Sequence, residues 1–98
     1  MEVYVKLHKI GKNVVLAICD VELLGKTLRD GKITFTVKDE FYNGGKVGVD
    51  EAMCMVENAT IVNLAGKCCV ERALQKGYVH VDAVLNIDGI LHAQIVKL

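Results

Sequence analysis

The sequence predicts an α+β fold, a single compact domain over residues 1–98 with about five strands in a mixed or antiparallel sheet and two main helices on one face. Three observations predict it. Apolar and polar residues alternate near both ends of the chain, which is the period of half-buried strands. Apolar residues at helical spacing are confined to the middle of the chain. No repeat or proline-rich linker divides the chain.

Two strands are predicted at the start. Val3, Val5 and Leu7 alternate with polar residues, which indicates a strand with one buried face. After turn residues at 11–13, residues 14–19 are apolar on both faces, which is typical of a central strand.

A short helical turn and a further strand are predicted next. Asp20 is placed to cap a short helical turn over residues 21–24, and Gly25 can end that turn. Residues 32–38 then alternate as a half-buried strand. Its inward side chains are expected to be Ile33, Phe35 and Val37.

Two helices follow a glycine-rich loop at residues 39–48, which Phe41 and Tyr42 are expected to anchor. Asp50 is the predicted N-cap of a helix that ends near residue 58 or 59. A second helix over residues 67–76 is closed by glycine at both ends. Its buried side chains are expected to be Val70, Ala73 and Leu74.

The chain ends in a predicted hairpin of strands at residues 83–87 and 91–96. A three-residue loop would pair Asn86 with His92 and sort the side chains cleanly. A two-residue turn at 88–89 would place His92 among the apolar side chains. The longer loop is favoured because it separates polar and apolar side chains onto opposite faces of the hairpin. The apolar face would carry Leu85, Ile87, Leu91, Ala93 and Ile95, and the polar face Asn86, His92 and Gln94.

Composition limits the possible functions. Twelve basic and twelve acidic residues cancel, so no global positive field concentrates nucleic acid or an anionic membrane around the protein. The longest apolar run has six residues, far short of the roughly 20 that span a bilayer. The N-terminus lacks the features of a signal peptide, so a cytoplasmic protein is expected.

The four cysteines are expected to be reduced. Cys68 and Cys69 are adjacent, and a bridge between neighbours would be strained. The helix start at Lys67 could bind an anion or lower a cysteine pKa, but no histidine or second base lies within a few residues, so small core-filling thiols are the favoured interpretation. No CxxC, HxxxH or HExxH spacing occurs, so neither a metal nor a cofactor is predicted.

Two groups of surface residues are candidates for binding. Basic side chains beside a tyrosine could engage RNA phosphates and stack on a base, although charged strand edges also prevent aggregation. These RNA- or anion-binding candidates are Tyr4, Lys6, Lys9, Lys12, Lys26 and Lys67. A polar cluster could form a ligand or catalytic site, or only a network that fixes loops to the sheet. Its members are Asp20, Asn63, Asn86, His92 and Gln94.

Five blocks of sequence, at residues 4–6, 19–26, 41–44, 59–66 and 89–94, together span almost the whole chain. These blocks resemble a small archaeal family of uncharacterised proteins, domain of unknown function 424. Asp20, Asn63 and His92 match the family pattern, whereas the position of Leu91 is often proline in the family and those of Cys68 and Cys69 usually hold other residues. The resemblance implies an archaeal cytoplasmic protein with a loose link to translation genes, and no established reaction.

Three hypotheses follow. The first is a translation-associated accessory module that binds ribosomal RNA or a translation protein through the basic hairpin and the His92 face. The second is a small-ligand protein or enzyme that uses Asp20, Asn63 and His92, with His92 as acid or base. The third is a homodimer in which residues 91–96 pair with a second copy. No complete catalytic set is recognisable.

Overall fold

A computed structural model describes residues 1–98, which form eight strands and three α-helices. The strands, in chain order, are β1 (Glu2–Ile10), β2 (Asn13–Asp20), β3 (Thr27–Asp30), β4 (Ile33–Thr36), β5 (Lys46–Gly48), β6 (Ile61–Ala65), β7 (Leu85–Ile87) and β8 (Ile90–Val96). The helices are α1 (Asp39–Tyr42), α2 (Val49–Val56) and α3 (Lys67–Gln75). Short 3-10 turns occupy Val21–Leu23 and Val81–Ala83.

Six strands form the main sheet in the order β5-β1-β2-β6-β8-β7. All neighbours are antiparallel except β2 and β6, which are parallel at its centre. The predicted α+β class is confirmed, with one strand more than the five expected. The central position predicted for residues 14–19 is also confirmed.

The two longer helices, α2 and α3, cover one side of this sheet, which we call the helix face. Their buried side chains interdigitate with those of four strands, and burying each large aliphatic one contributes about 1.5–3 kcal/mol. The predicted pair of helices on one face is therefore confirmed. The largest fully buried side chains in this layer are Leu16, Ile18, Met53 and Leu64.

A second, smaller core fills the opposite side, which we call the ribbon face. Strands β3 and β4 pair only with each other, as a two-stranded ribbon that packs with α1 over this face. Tyr42 is buried there, which confirms its predicted anchoring role. The core residues are Ala17, Cys19, Leu23, Val37, Tyr42 and Ala65.

Some predicted inward residues are exposed. Ile33 is 53% exposed because β4 belongs to the ribbon rather than to the main sheet, and of its predicted inward set Val37 alone is fully buried. Leu7 is 52% exposed because the helix-face core reaches only Val3 and Val5 along β1.

The start of α2 also differs from the prediction. Gly48, not Asp50, is the N-cap residue. Asp50 lies in the first helical turn, where the helix dipole favours a carboxylate, and its side chain pairs with Arg72 of α3. The pair fastens the two helices together at the surface.

The last hairpin has a two-residue turn, so the predicted three-residue loop is wrong. Asp88 and Gly89 both have positive φ, at 54° and 81°, as a type I′ turn requires. Asn86 Oδ1 accepts a hydrogen bond from the backbone N of Gly89 at 2.8 Å and stabilises the turn. His92 therefore pairs with Leu85 rather than with Asn86. The prediction assumed that one face of the hairpin is apolar and the other polar. It failed because apolar side chains pack against both faces of the sheet.

Candidate functional site

A cavity of about 530 Å³ lies between the ribbon, α1 and the ribbon face of the sheet. We call it the ribbon groove. Its size falls within the range of small-molecule sites. The ribbon and α1 side contributes Ile33, Thr34, Phe35, Thr36, Lys38, Phe41 and Tyr42, and the sheet contributes Asn63, Leu85, Ile87, His92 and Gln94.

His92 is the most unusual residue of the groove. It is only 8% exposed, and the Phe35 ring meets its ring edge-on with the centroids 4.7 Å apart. Its Nδ1 atom is buried and has no hydrogen-bond partner. Burial lowers the pKa of His92, and an interaction with the backbone of Leu64 acts in the opposite direction. The neutral form of the imidazole is therefore favoured, and Nδ1 has an unmet hydrogen-bonding capacity.

An amide pair lies beside it. Asn63 of β6 and Gln94 of β8 are cross-strand partners, and Gln94 Nε2 donates to Asn63 Oδ1 at 2.8 Å. Gln94 stands two residues from His92 on the same strand, so both side chains are on the ribbon face. Three of the five residues predicted to form a polar cluster thus line one cavity.

Asp20 and Asn86 do not belong to this cluster. Asp20 is on the helix face, where its Oδ2 accepts from the backbone N of Cys68 at 2.8 Å and its Oδ1 from that of Cys69 at 3.0 Å. Asn86 pairs with Leu91 and so faces away from His92. A single site that combines Asp20, Asn63 and His92 is excluded by this geometry.

Asp20 caps α3 rather than the turn that follows it in sequence. The 3-10 turn at Val21–Leu23 receives no side-chain cap, whereas the two N–H groups that Asp20 binds are in the first turn of α3. Gly66, the N-cap residue of α3, has no side chain to offer and a φ of 115°. The carboxylate of Asp20 fills the space where a Cβ of residue 66 would stand.

The thiols at this helix start are not activated. Burial, followed by the charge of Asp20, raises the pKa of both Cys68 and Cys69, and for Cys69 the rise is large. Cys69 is fully buried in the helix-face core, as expected of a core-filling thiol, whereas Cys68 is only half-buried. Burial likewise raises the pKa of Cys19 to about 12.

A smaller cavity of about 330 Å³ lies outside this helix start and is acidic. Lys67, predicted to bind anions, is its only basic side chain. The α3 N–H groups of Cys68 and Cys69 are occupied by Asp20. The carboxylates that line it are Glu2, Asp20, Glu22 and Glu71.

The other basic candidates are dispersed. Lys6 Nζ donates to the backbone O of Glu40 at 2.7 Å, which ties β1 to α1. Tyr4 lies under Lys46 Nζ, 5.6 Å from the ring centroid. Lys9 is on the face of β1 opposite to Lys6, since the two are an odd number of positions apart. Lys12 lies in the β1–β2 turn, and Lys26 precedes β3.

Neither a metal cluster nor a membrane-spanning helix is found. No group of three or more His, Cys, Asp or Glu side chains is arranged to hold a metal ion, and none of the helices has the length and hydropathy to cross a bilayer.

Sequence reasoning missed the aromatic wall of the groove. The sequence pattern predicts a core position for Phe35 and a loop position for Phe41, yet both line the groove, and Phe41 also stacks on His8 with the centroids 4.7 Å apart. The available signal was the run of threonines and aromatics on either side of Lys38. Its meaning depends on the ribbon folding over the sheet.

We expect His92 to make the fold acid-sensitive. Its pKa in the folded state lies below its ordinary value of 6.5, so stability is full above 6.5 and is lost as pH falls through the folded-state pKa. The free energy of unfolding should decrease by at most about 1.4 kcal/mol per pH unit in that window. Urea unfolding at pH 7 and pH 5 should show a smaller pH effect in His92→Gln. An equal pH effect in both proteins would contradict this assignment. Lys38 and Tyr42 are the other titratable side chains of the groove.

Comparison with known proteins identifies the family. Residues 8–98 match the family model described as "Protein of unknown function (DUF424)". The chain belongs to this family. A solved structure described as an uncharacterized conserved protein from the archaeon Methanopyrus kandleri is 26% identical, with a TM-score of 0.84 over 100% of this chain and 95% of that one. No curated protein matches the chain. The predicted resemblance to this family is confirmed.

Proposed function

We propose that this protein binds a small organic ligand in the ribbon groove. The observation that carries the proposal is His92, a buried imidazole whose Nδ1 has no partner, on the wall of a cavity large enough for a metabolite. A buried polar atom left unpaired costs about 1–3 kcal/mol, which a protein retains where the group has a task. Apolar and aromatic surface around a few polar groups is typical of ligand sites.

The charge of the groove restricts the ligand. Lys38 is its only charged side chain at neutral pH, and no carboxylate lines it. A cation that entered the groove would therefore lose its hydration and meet no negative charge. Neutral or anionic ligands are favoured.

The groove supports binding better than catalysis. An acid or base at His92 would need a partner to orient it, and its nearest ring contact is Phe35, which carries no polar atom. Burial raises the pKa of Tyr42, which keeps that phenol protonated.

A metabolite library screened by thermal shift tests the proposal, with His92→Ala as the variant and His80→Ala as its matched control. His80 is an exposed histidine whose side chain is 85% accessible and lies outside the groove. We expect ligands that stabilise the wild type and the control by several degrees and lose their effect in His92→Ala. Gln94→Ala serves the same purpose if His92→Ala fails to fold. Absence of any ligand whose effect depends on His92 or Gln94 would overturn the proposal.

A second proposal is a cytoplasmic module that binds a component of the translation apparatus. It is supported by the exposed Lys9 and Lys12 at one end of the β1–β2 hairpin. Its test is cosedimentation with ribosomal particles at low and high salt, with Lys9→Ala/Lys12→Ala as the variant and Lys76→Ala as the control. Salt-sensitive cosedimentation that weakens only in the double variant would support it. Failure to cosediment at low salt would exclude it.

Self-association is a third proposal. Strand β7 pairs only with Ile90–His92, so residues 93–96 of β8 have a main-sheet partner on one side alone. A second copy could pair there. Light scattering across a range of concentrations should then show twice the monomer mass of 10.7 kDa, and a monomer at all concentrations would exclude it.

A further inference from the structure

The amide pair in the ribbon groove has unused hydrogen-bonding groups of a defined kind. One hydrogen bond joins Gln94 and Asn63, and it uses one donor and one acceptor. Each primary amide offers an NH₂ and a carbonyl, so the pair keeps an NH₂ on one residue and a carbonyl on the other. This holds whichever of the two amides donates. Neither residue makes another side-chain hydrogen bond within the protein.

These two groups complement a lactam edge. In a lactam, an N–H and a C=O stand side by side on one ring, and the N–H can donate to the free carbonyl while the C=O accepts from the free NH₂. Asn63 and Gln94 are direct cross-strand partners, so their side chains lie against each other and the two free groups stand on neighbouring side chains.

The surrounding walls favour a flat ring. Four rings line the cavity, and two of them, Phe35 and His92, meet edge-on. Aromatic side chains stack on heterocyclic bases with little dependence on sequence. His92 offers a further polar contact about two strand residues, or roughly 7 Å, from Gln94. Lys38 lies on the opposite wall, which the ribbon and α1 form, where it could meet an anionic substituent.

We propose that the ribbon groove takes an oxo-pyrimidine or oxo-purine base, of the uracil or hypoxanthine type. This inference rests on the proposed function and narrows its ligand to one chemical class. Such bases are planar and uncharged and carry a lactam edge, whereas adenine and cytosine lack the ring N–H. The base can belong to a free nucleotide or to an unpaired nucleotide of RNA, since both present the same edge.

The decisive ligands differ by one methyl group. Uridine and inosine 5′-monophosphates are titrated into the isotope-labelled protein and followed by NMR, beside their N3-methyl and N1-methyl derivatives. We expect shifts centred on β6, β8 and the ribbon, and binding weakened about tenfold or more by methylation, because the lost N–H leaves the amide carbonyl unpaired. Equal binding of the methylated forms, or no binding by either parent nucleotide at millimolar concentration, would overturn the proposal.

Protein variants locate the contact. Gln94→Ala and Asn63→Ala should each weaken the binding of uridine or inosine monophosphate about tenfold. Gln75→Ala, at the exposed end of α3, should leave the affinity unchanged. If affinity is unchanged in both groove variants, the lactam contact is disproved. A short oligouridine that binds more than about tenfold tighter than the mononucleotide would identify RNA as the source of the base, and equal affinity would identify the free nucleotide.

The outcomes separate this inference from the broader one. If the library ligands whose binding depends on His92 all lack a lactam edge, the proposal of a base is disproved, but the proposal of a ligand in the groove stands. If no library ligand binds in the groove, both proposals are disproved.

Discussion

Replacing Gly66 with alanine should lower the free energy of unfolding by about 3–5 kcal/mol, the largest effect we expect from any single methyl group in this protein. The added Cβ would collide with Cγ of Asp20, which is buried and held by two hydrogen bonds, so the carboxylate cannot move aside without leaving the end of α3. The φ of 115° adds backbone strain for any residue with a side chain. Urea unfolding followed by circular dichroism measures the change.

Gly77→Ala is the matched control. It also has a positive φ, of 76°, but no atom lies within 4 Å of its added Cβ. It should lose only about 1–2 kcal/mol, from the left-handed backbone. If both variants lose the same stability, the collision with Asp20 is not the cause of the Gly66 effect.

Asp20→Ala should lower the free energy of unfolding by about 2–4 kcal/mol. The variant leaves the backbone N–H groups of Cys68 and Cys69 without acceptors in a buried place, and it also removes a buried charge, which offsets part of the loss. Thermal and urea unfolding would measure it, and a helical signal that melts separately from the sheet would show that α3 has come loose. A loss below about 0.5 kcal/mol would contradict the capping role.

Asp20→Asn separates charge from hydrogen bonding. Burial, the largest influence, raises the folded-state pKa of Asp20 above its ordinary 3.8, and the two N–H groups lower it in part. A raised pKa means that the contribution of this group to stability is full below 3.8 and is lost as pH rises through the folded-state value. Asparagine should remove this component, so a pH profile unchanged by the substitution would refute the assignment. The direction is opposite to that expected for His92.

Local patterns predicted the elements that depend on local interactions. The apolar run in β2 and the spacing of Val70 and Ala73 in α3 each identify an element from a few neighbouring residues. Gly77, with its positive φ, ends α3 where the sequence indicated. These positions needed no knowledge of the partner surface.

Distant partners account for the failures. Asp20 has an acidic side chain suited to capping, but the N–H groups that it binds are 48 and 49 residues away. The register of the last hairpin depended on what covers each face of the sheet, and the ribbon that covers the second face was not predicted. His92 consequently lies beside Leu85 and not beside Asn86.

The groove was predicted only in part for the same reason. Asn63 and Gln94 were recognised as polar residues in apolar strands, but their contact follows from the pairing of β6 with β8. The aromatic wall comes from residues 33–42, which approach the sheet only after the ribbon folds back on it. No periodicity within that segment encodes such an approach.

The cap that α3 receives from β2 also constrains the order of folding. A nine-residue helix is too short to persist alone in water. The acceptors for the first N–H groups of α3 come from Asp20 at the end of β2, which lies 48 residues earlier in the chain. The closure entropy of that long loop is lost before the contacts are gained, which slows folding. Helix α3 and the parallel β2–β6 pair should therefore form and open as one cooperative unit, with amide protons that exchange at similar rates.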